Sequence, residues 1–168
     1  HADAAKVIAR GCPSSAWIVS VVGAHAAIVG RLPEVCQEEV WGKNENQLIA
    51  TASARVEGSA FKVPDGYRVS GTWRFASGVD HAEWSMVSTH VDGDDPNDHT
   101  RYIRILVPVK DIEIVDTWHV VGMSGTGSKD IKCSDVFIPE HRVVNAHVSF
   151  AKNPPGAKVN PDSYLYNV

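Results

Sequence analysis

Between Tyr67 and Phe75 apolar and polar residues alternate: Tyr67, Val69, Trp73 and Phe75 fall on one side of an extended segment, Arg68, Ser70, Thr72 and Arg74 on the other. This predicts a strand with one buried, aromatic face. At Ala76-Ser77-Gly78 the side chains shrink, and glycine permits a tight turn. Upstream the pattern is helical. Ser14 to Gly30 is the most apolar run, yet it is too short and too interrupted by Ser, Gly and His to span a membrane. It reads as a buried helix started by Pro13, Ser14 and Ser15 and stopped by Gly30. On helical spacing Trp17, Val21, Ala24, His25 and Ile28 form one stripe. A second short helix is expected over Pro33 to Gly42, with Val35, Val40 and Trp41 as its apolar face. The opening HADAAKVIAR also reads as helix, shows no secretory pattern, and looks like the interior of a longer chain.

From Leu48 onward small and β-branched residues take over. Strand patterns are expected over Leu48–Val56, Ser85–Val91, Tyr102–Val107, Ile112–Val121 and Asp130–Pro139, with Pro64-Asp65-Gly66 as a turn. In the third of these Ile103, Ile105 and Val107 oppose Tyr102, Arg104 and Leu106, and in the last the phase shifts between Cys133 and Val136. The acidic stretch Gly93 to His99 reads as a solvated hairpin tip, because it lacks the ligand spacing of a calcium loop. Gly122 to Lys129 is glycine-dense but lacks the spacing of an ATPase phosphate loop, and it reads either as a long hairpin connection or as a backbone-lined turn whose amides touch a phosphate. Residues 151–168, rich in Pro and Gly, read as a linker. Helices followed by strands predict an α+β fold, divided as 1–47 helical, 48–150 all-β and 151–168 linker.

With 168 residues, 43% hydrophobic and 21% charged, the chain can bury one sizeable core. A net charge of -4 provides no basic field for nucleic acid. Cys12, Cys36 and Cys133 are widely spaced with no CxxC, which fits buried free thiols in a reducing compartment. The eight His form no HxxxH or HExxH pattern, so no metal is expected. Five Trp, four Tyr and four Phe suffice for an aromatic-lined pocket, or equally for a core.

Two places carry candidate chemistry. The end of the aromatic strand offers flat walls, a hydroxyl and backbone amides, which suits a planar heterocycle with polar edges. The same pattern also fits a core strand ending in a turn. His25, among apolar neighbours, is either a satisfied core residue or a hydrogen-bond partner and proton acceptor in a closed pocket.

Four blocks in order, CPSSAWIVSVVGAH (12–25), EEVWG (38–42), YRVSGTWRFASGVDHAEW (67–84) and DTWHVVGMSGTGSKDIKCSDVFIPEHRV (116–143), resemble the flavin-dependent monooxygenases of the acyl-CoA dehydrogenase fold. Within these the chain is most similar to the oxygenase components of two-component phenol hydroxylases, of the 4-hydroxyphenylacetate and steroid-ring types. The resemblance covers roughly residues 9–144. It implies a middle β-barrel domain preceded by helices of an N-terminal α domain, without the family's C-terminal helical bundle. It further implies that reduced FMN or FAD, supplied by a separate flavin reductase, reacts with O2 to a C4a-hydroperoxide that hydroxylates an aromatic substrate. The implied protein is cytoplasmic and, at full length, a homotetramer, with no membrane or nucleic-acid partner.

Carried over by position, Trp17 matches a flavin-neighbouring Trp and His25 the residue that holds the substrate phenol. Thr51, Ala52 and Ser53 match a flavin-contacting run; Phe75, Ala76 and Ser77 match the strand end beside the ring, with Ser77 near N5. The catalytic pair is thus His25 and Ser77. Ala52 and Ala76 depart from the family's tendency to carry Ser, which leaves the choice between FMN and FAD open. Two further readings stand beside this one: an acyl-CoA dehydrogenase or oxidase, and a non-catalytic domain that binds flavin or a partner. Taken alone, residues 1–168 are expected to be inactive.

Overall fold

The computed structural model describes residues 1–55, 57–92, 101–146, 153–159, 161–163 and 166. Three helices come first: α1 (Ala2–Ala9), α2 (Pro13–Val29) and α3 (Glu34–Trp41). Pro13 sits in the first turn of α2, where its missing N–H costs nothing, and Gly30 closes the helix as expected. In α3 the buried residues are Cys36 and Val40, whereas Val35 is exposed. The expected apolar face is therefore rotated. Cys36 supplies the contact assigned to Val35, because a free thiol packs as a small hydrophobe.

Eight strands follow: β1 (Ile49–Ala52), β2 (Ser59–Val63), β3 (Gly66–Ala76), β4 (Trp84–Val91), β5 (Tyr102–Pro108), β6 (Glu113–Val115), β7 (Lys129–Pro139) and β8 (Val143–Asn145). They form one mixed sheet in the order β6-β7-β3-β2-β4-β5-β8. β1 also pairs with β4, in parallel, along Trp84–Val87, and β2 takes over the same edge at His90 and Val91. The hairpin at Pro64-Asp65-Gly66 and the β4–β5 pairing lie where the sequence puts them. Of the run 112–121 only Glu113–Val115 is strand, because beyond Val115 the chain has no partner ladder and stays irregular. The Leu48–Val56 segment is likewise strand only to Ala52. The acidic loop 93–99 lies outside the described residues.

Curling brings β3 and β7 over β4 and β5, and the enclosed space holds Val69, Trp73, Val87, Ile103, Ile105, Ile131 and Ile138, all nearly or fully buried. This is a barrel core. β4 and β5 are covered on both sides, so their alternation divides two cores. Val87 and Ile105 face the barrel, while Met86 and Leu106 meet Val29, Leu32, Cys36 and Val40 of the helical layer. Trp73 is fully buried, and its indole N–H donates to the Ser88 carbonyl at 2.8 Å, which removes the cost of burying that donor. The three cysteines are free as expected, but Cys12 is exposed rather than buried, because it lies just outside α2 at its N-cap.

α3 is fastened to the sheet electrostatically. Arg142, in the turn after β7, donates two hydrogen bonds to the Glu39 carboxylate (2.7 and 3.0 Å), and His141 lies 2.9 Å from the same group. Residues 153–159 fold back onto the helices, the Gly156 amide donating to the Arg31 carbonyl. Tyr166 donates its hydroxyl proton to the Gly30 carbonyl at 3.1 Å.

The Arg142 guanidinium pulls the Glu39 carboxyl down to about 2. A carboxylate depressed in the folded state stabilises it above its unfolded value, and that contribution disappears as pH falls through the folded one. For this partly solvated pair we expect Glu39→Gln to cost about 1 kcal/mol at pH 7. The difference from wild type should shrink as urea unfolding is repeated from pH 5 down towards pH 2. A constant difference would show that charge is not what Glu39 contributes.

Candidate functional site

The ladder between β3 and β7 slips once near the end of β3: Trp73 pairs with Ile131, but Ala76 pairs with Lys129, so β3 carries an extra residue. That residue is Phe75, whose φ of 72° is a left-handed conformation rarely taken by a bulky side chain. The slip throws the Phe75 ring off the buried face, contrary to the alternation, and leaves it 51% exposed. Ala76 then turns inward. It belongs to the barrel core and is not among the residues that line the cavity, unlike the other positions of that strand end. Gly78, at φ 75°, completes the turn, and a Cβ there would stand 3.3 Å from Ile18 of α2. Helix and strand end are thus pressed together.

Beside this junction lies an apolar-walled cavity of about 550 Å³. α2 contributes Trp17, Val21 and His25; β1 and the residues after it contribute Thr51 to Ala54; the end of β3 contributes Phe75 and Ser77. The connection between β6 and β7 adds Trp118, Met123, Thr126 and Ser128. Of the positions singled out in the sequence, seven meet here and Ala76 does not. Trp118, Thr126 and Ser128 were missed. Trp118 lies in a stretch read as strand, and the hydroxyls lie in a segment read as a hairpin connection or an amide-lined turn, with no role given to its side chains. An aromatic residue set among Asp116, Thr117 and His119, without an alternating partner, was the available signal.

Phe75 and Trp118 meet edge to face, ring centres 5.8 Å apart, and form one wall. Trp17 forms another, and its indole N–H donates to the Ser77 hydroxyl at 3.0 Å. Ser77 and Ser128 hydroxyl oxygens are 2.7 Å apart, as are those of Ser128 and Thr126. Thr51 donates to the Met86 carbonyl at 2.9 Å, so at its 2.9 Å contact with Ser53 it accepts. No carboxylate, Lys or Arg lines the cavity among the described residues, which makes His25 its one titratable group near neutral pH.

His25 is buried, and its Nδ1 lies 2.9 Å from the Ile49 carbonyl. A carbonyl can only accept, so Nδ1 carries the proton and the neutral ring keeps a lone pair on Nε2. Burial pushes the His25 pKa down, partly opposed by the bond to Ile49. The site therefore combines flat apolar walls, a line of hydroxyls and one imposed imidazole tautomer. That set fits a planar heterocycle with polar edges and, beside it, a small molecule with an acidic hydroxyl.

No family model matches the sequence. The chain is 34% identical over 163 residues to the FADH(2)-dependent resorcinol hydroxylase, oxygenase component, of Rhizobium sp. (strain MTP-10005), covering 96% of this chain and 39% of that protein. Among solved structures, the 3-HSA hydroxylase from Rhodococcus sp. RHA1 superposes with a TM-score of 0.91 at 34% identity, over 99% of this chain and 42% of that one. XiaF from Streptomyces sp., solved in complex with FADH2 and glycerol, gives 0.82 at 31% identity, over 90% and 38%. The chain thus spans about two fifths of the length of the relatives it matches.

A histidine whose folded pKa is depressed must be neutral in the native state, so the unfolded chain binds the extra proton as pH falls below the unfolded value of about 6.5, and stability falls with it. Nitrogen NMR should find His25 neutral at pH 7 with the proton on Nδ1, titrating below free imidazole. Observation of the Nε2–H tautomer would remove the acceptor from the cavity.

Proposed function

The chain belongs to the oxygenase components of the flavin-dependent aromatic hydroxylases, and we propose that its cavity holds reduced FMN or FAD against the strand end, with a phenolic substrate beside His25. The observation that carries this reading is the junction of His25, with its free Nε2, and Ser77, with its hydroxyl line, in one aromatic-walled hollow. Trp17, Thr51, Ala52, Ser53, Phe75 and Ser77 would hold the flavin; its reductase would be a separate protein, as the printed name "oxygenase component" of the resorcinol hydroxylase supports. A cytoplasmic homotetramer is part of the same proposal. No described helix is long and apolar enough to cross a membrane.

When bound, reduced flavin activates O2 and delivers one oxygen atom to the aromatic ring. The protein's own part is positional and electrostatic. Trp17, Phe75 and Trp118 would lie against the bound ring and shield the faces they cover from bulk solvent, which would otherwise divert oxygen into peroxide. His25 Nε2 accepts the phenol proton, which raises electron density on the ring carbons and orients the substrate. Its bond to Ile49 keeps the lone pair aimed by fixing the tautomer. Ser77 holds the polar edge of the heterocycle through a hydroxyl that is itself immobilised on two sides. The dehydrogenase and non-catalytic readings are less favoured, since two of the relatives named above carry hydroxylase names.

The decisive experiment mixes the full-length protein, kept anaerobic, with reduced FMN or FAD and then admits oxygen. A transient absorbing in the near ultraviolet before oxidised flavin appears is the expected result; direct oxidation with neither flavin delayed would refute the proposal. With substrate present, His25→Ala should lower hydroxylation by about 10²-fold or more while flavin affinity changes little. Ser77→Ala should shorten the life of the transient and raise peroxide release, and an unaltered lifetime would remove Ser77 from the mechanism.

A further inference from the structure

On one wall of the cavity the hydrogen bonds run in a line, and a single direction gives every contact in it a proton. The indole N–H of Trp17 can only donate, and the backbone carbonyl of Met123 can only accept. Each hydroxyl between them owns one proton. Thr126 donates its proton to the Met123 carbonyl at 2.9 Å. In the 2.7 Å contact of Thr126 with Ser128 the proton is therefore that of Ser128. By the same reasoning the 2.7 Å contact between Ser128 and Ser77 uses the Ser77 proton, and Ser77 also receives the Trp17 N–H at 3.0 Å. Thr126, Ser128 and Ser77 are all buried, which removes water as a competing partner and raises the cost of a mismatch. Ser77 is left with one lone pair and no proton for the cavity.

We infer that Thr126 and Ser128 are positioning residues that hold Ser77 as a hydrogen-bond acceptor towards the cavity, and so select a ring edge bearing N–H over one presenting a lone pair. This rests on the flavin reading. The reduced isoalloxazine carries an N–H on its central ring where the oxidised form has a bare nitrogen, so the same hydroxyl welcomes one redox state and opposes the other. The backbone reinforces the direction: Met123 (φ 60°) and Gly127 (φ 51°) both take left-handed conformations, and the Thr126 carbonyl is tied to the Gly78 amide at 2.9 Å. The acceptor end of the line is thus built into the turn that packs against Gly78.

Equilibrium dialysis of the full-length protein against oxidised FMN and FAD in air, and against the reduced forms under anaerobic conditions, tests this without any turnover. In Ser128→Ala the Ser77 proton loses its acceptor. In Thr126→Val Ser128 must turn its proton onto Ser77. Both changes free the Ser77 proton for the cavity. The ratio of oxidised to reduced Kd should fall about tenfold in each, the scale of one mismatched buried hydrogen bond, and Thr126→Ser, which keeps the hydroxyl, should retain the wild-type ratio. Flavin binding with an unchanged ratio in both Ser128→Ala and Thr126→Val overturns the inference and leaves the flavin reading intact, as does a Thr126→Ser ratio shifted as far as that of Thr126→Val. Failure of the wild-type chain to bind either flavin in either state overturns both.

Discussion

The cavity exists because the ladder between β3 and β7 gives up one residue of register near its end. A strand that kept strict alternation would bury Phe75 beside Trp73 and direct Ala76 outward. The slip reverses both. It costs a left-handed phenylalanine, of the order of 1–2 kcal/mol, and the two turns that follow, at Gly78 and at Met123 to Gly127, hold it in place through the bond between Gly78 and Thr126. α2 closes the arrangement, with Ile18 packed over Gly78 and Trp17 hydrogen-bonded to Ser77. Helix, strand end and turn therefore locate one another, and the cavity is what their contact leaves open.

That dependence explains which parts could be read from the residues in order. Alternation marked β3 and β7, because one-sided burial leaves a period of two, while β4 and β5, covered on both sides, were found from their largely apolar runs; alternation even marked the irregularity between Cys133 and Val136, which the structure shows as a bulge at Asp135 (φ 53°). Pro13 and Gly30 bracketed α2 correctly. Phe75 broke the pattern invisibly, since a bulge changes the face of a side chain without changing its identity. Val35 and Cys36 were exchanged for a related reason: hydrophobicity ranks valine above cysteine, whereas the turn of α3 is set by tertiary contacts, Cys36 and Val40 against the sheet and Glu39 against Arg142.

The site was legible in kind more than in extent. Its aromatic, imidazole and hydroxyl members were recognisable from their order and from family resemblance. Ser128 and Thr126 were not, because their role is to direct the proton of another residue, and no local pattern distinguishes a hydroxyl that does so from one that solvates a turn. Trp118 escaped because residues 116–121 carry an extended composition without a neighbour to pair with.

Placement of the five indoles has an optical consequence. Trp73 and Trp84 are buried in the two cores, and Trp41 flanks the helical one, whereas Trp17 and Trp118 stand on the cavity walls. A chromophore lying between those walls would take energy from these two at contact distance, and from the other three with an efficiency that falls as their distance from it grows. Loss of indole emission on filling is therefore an intrinsic gauge of occupancy.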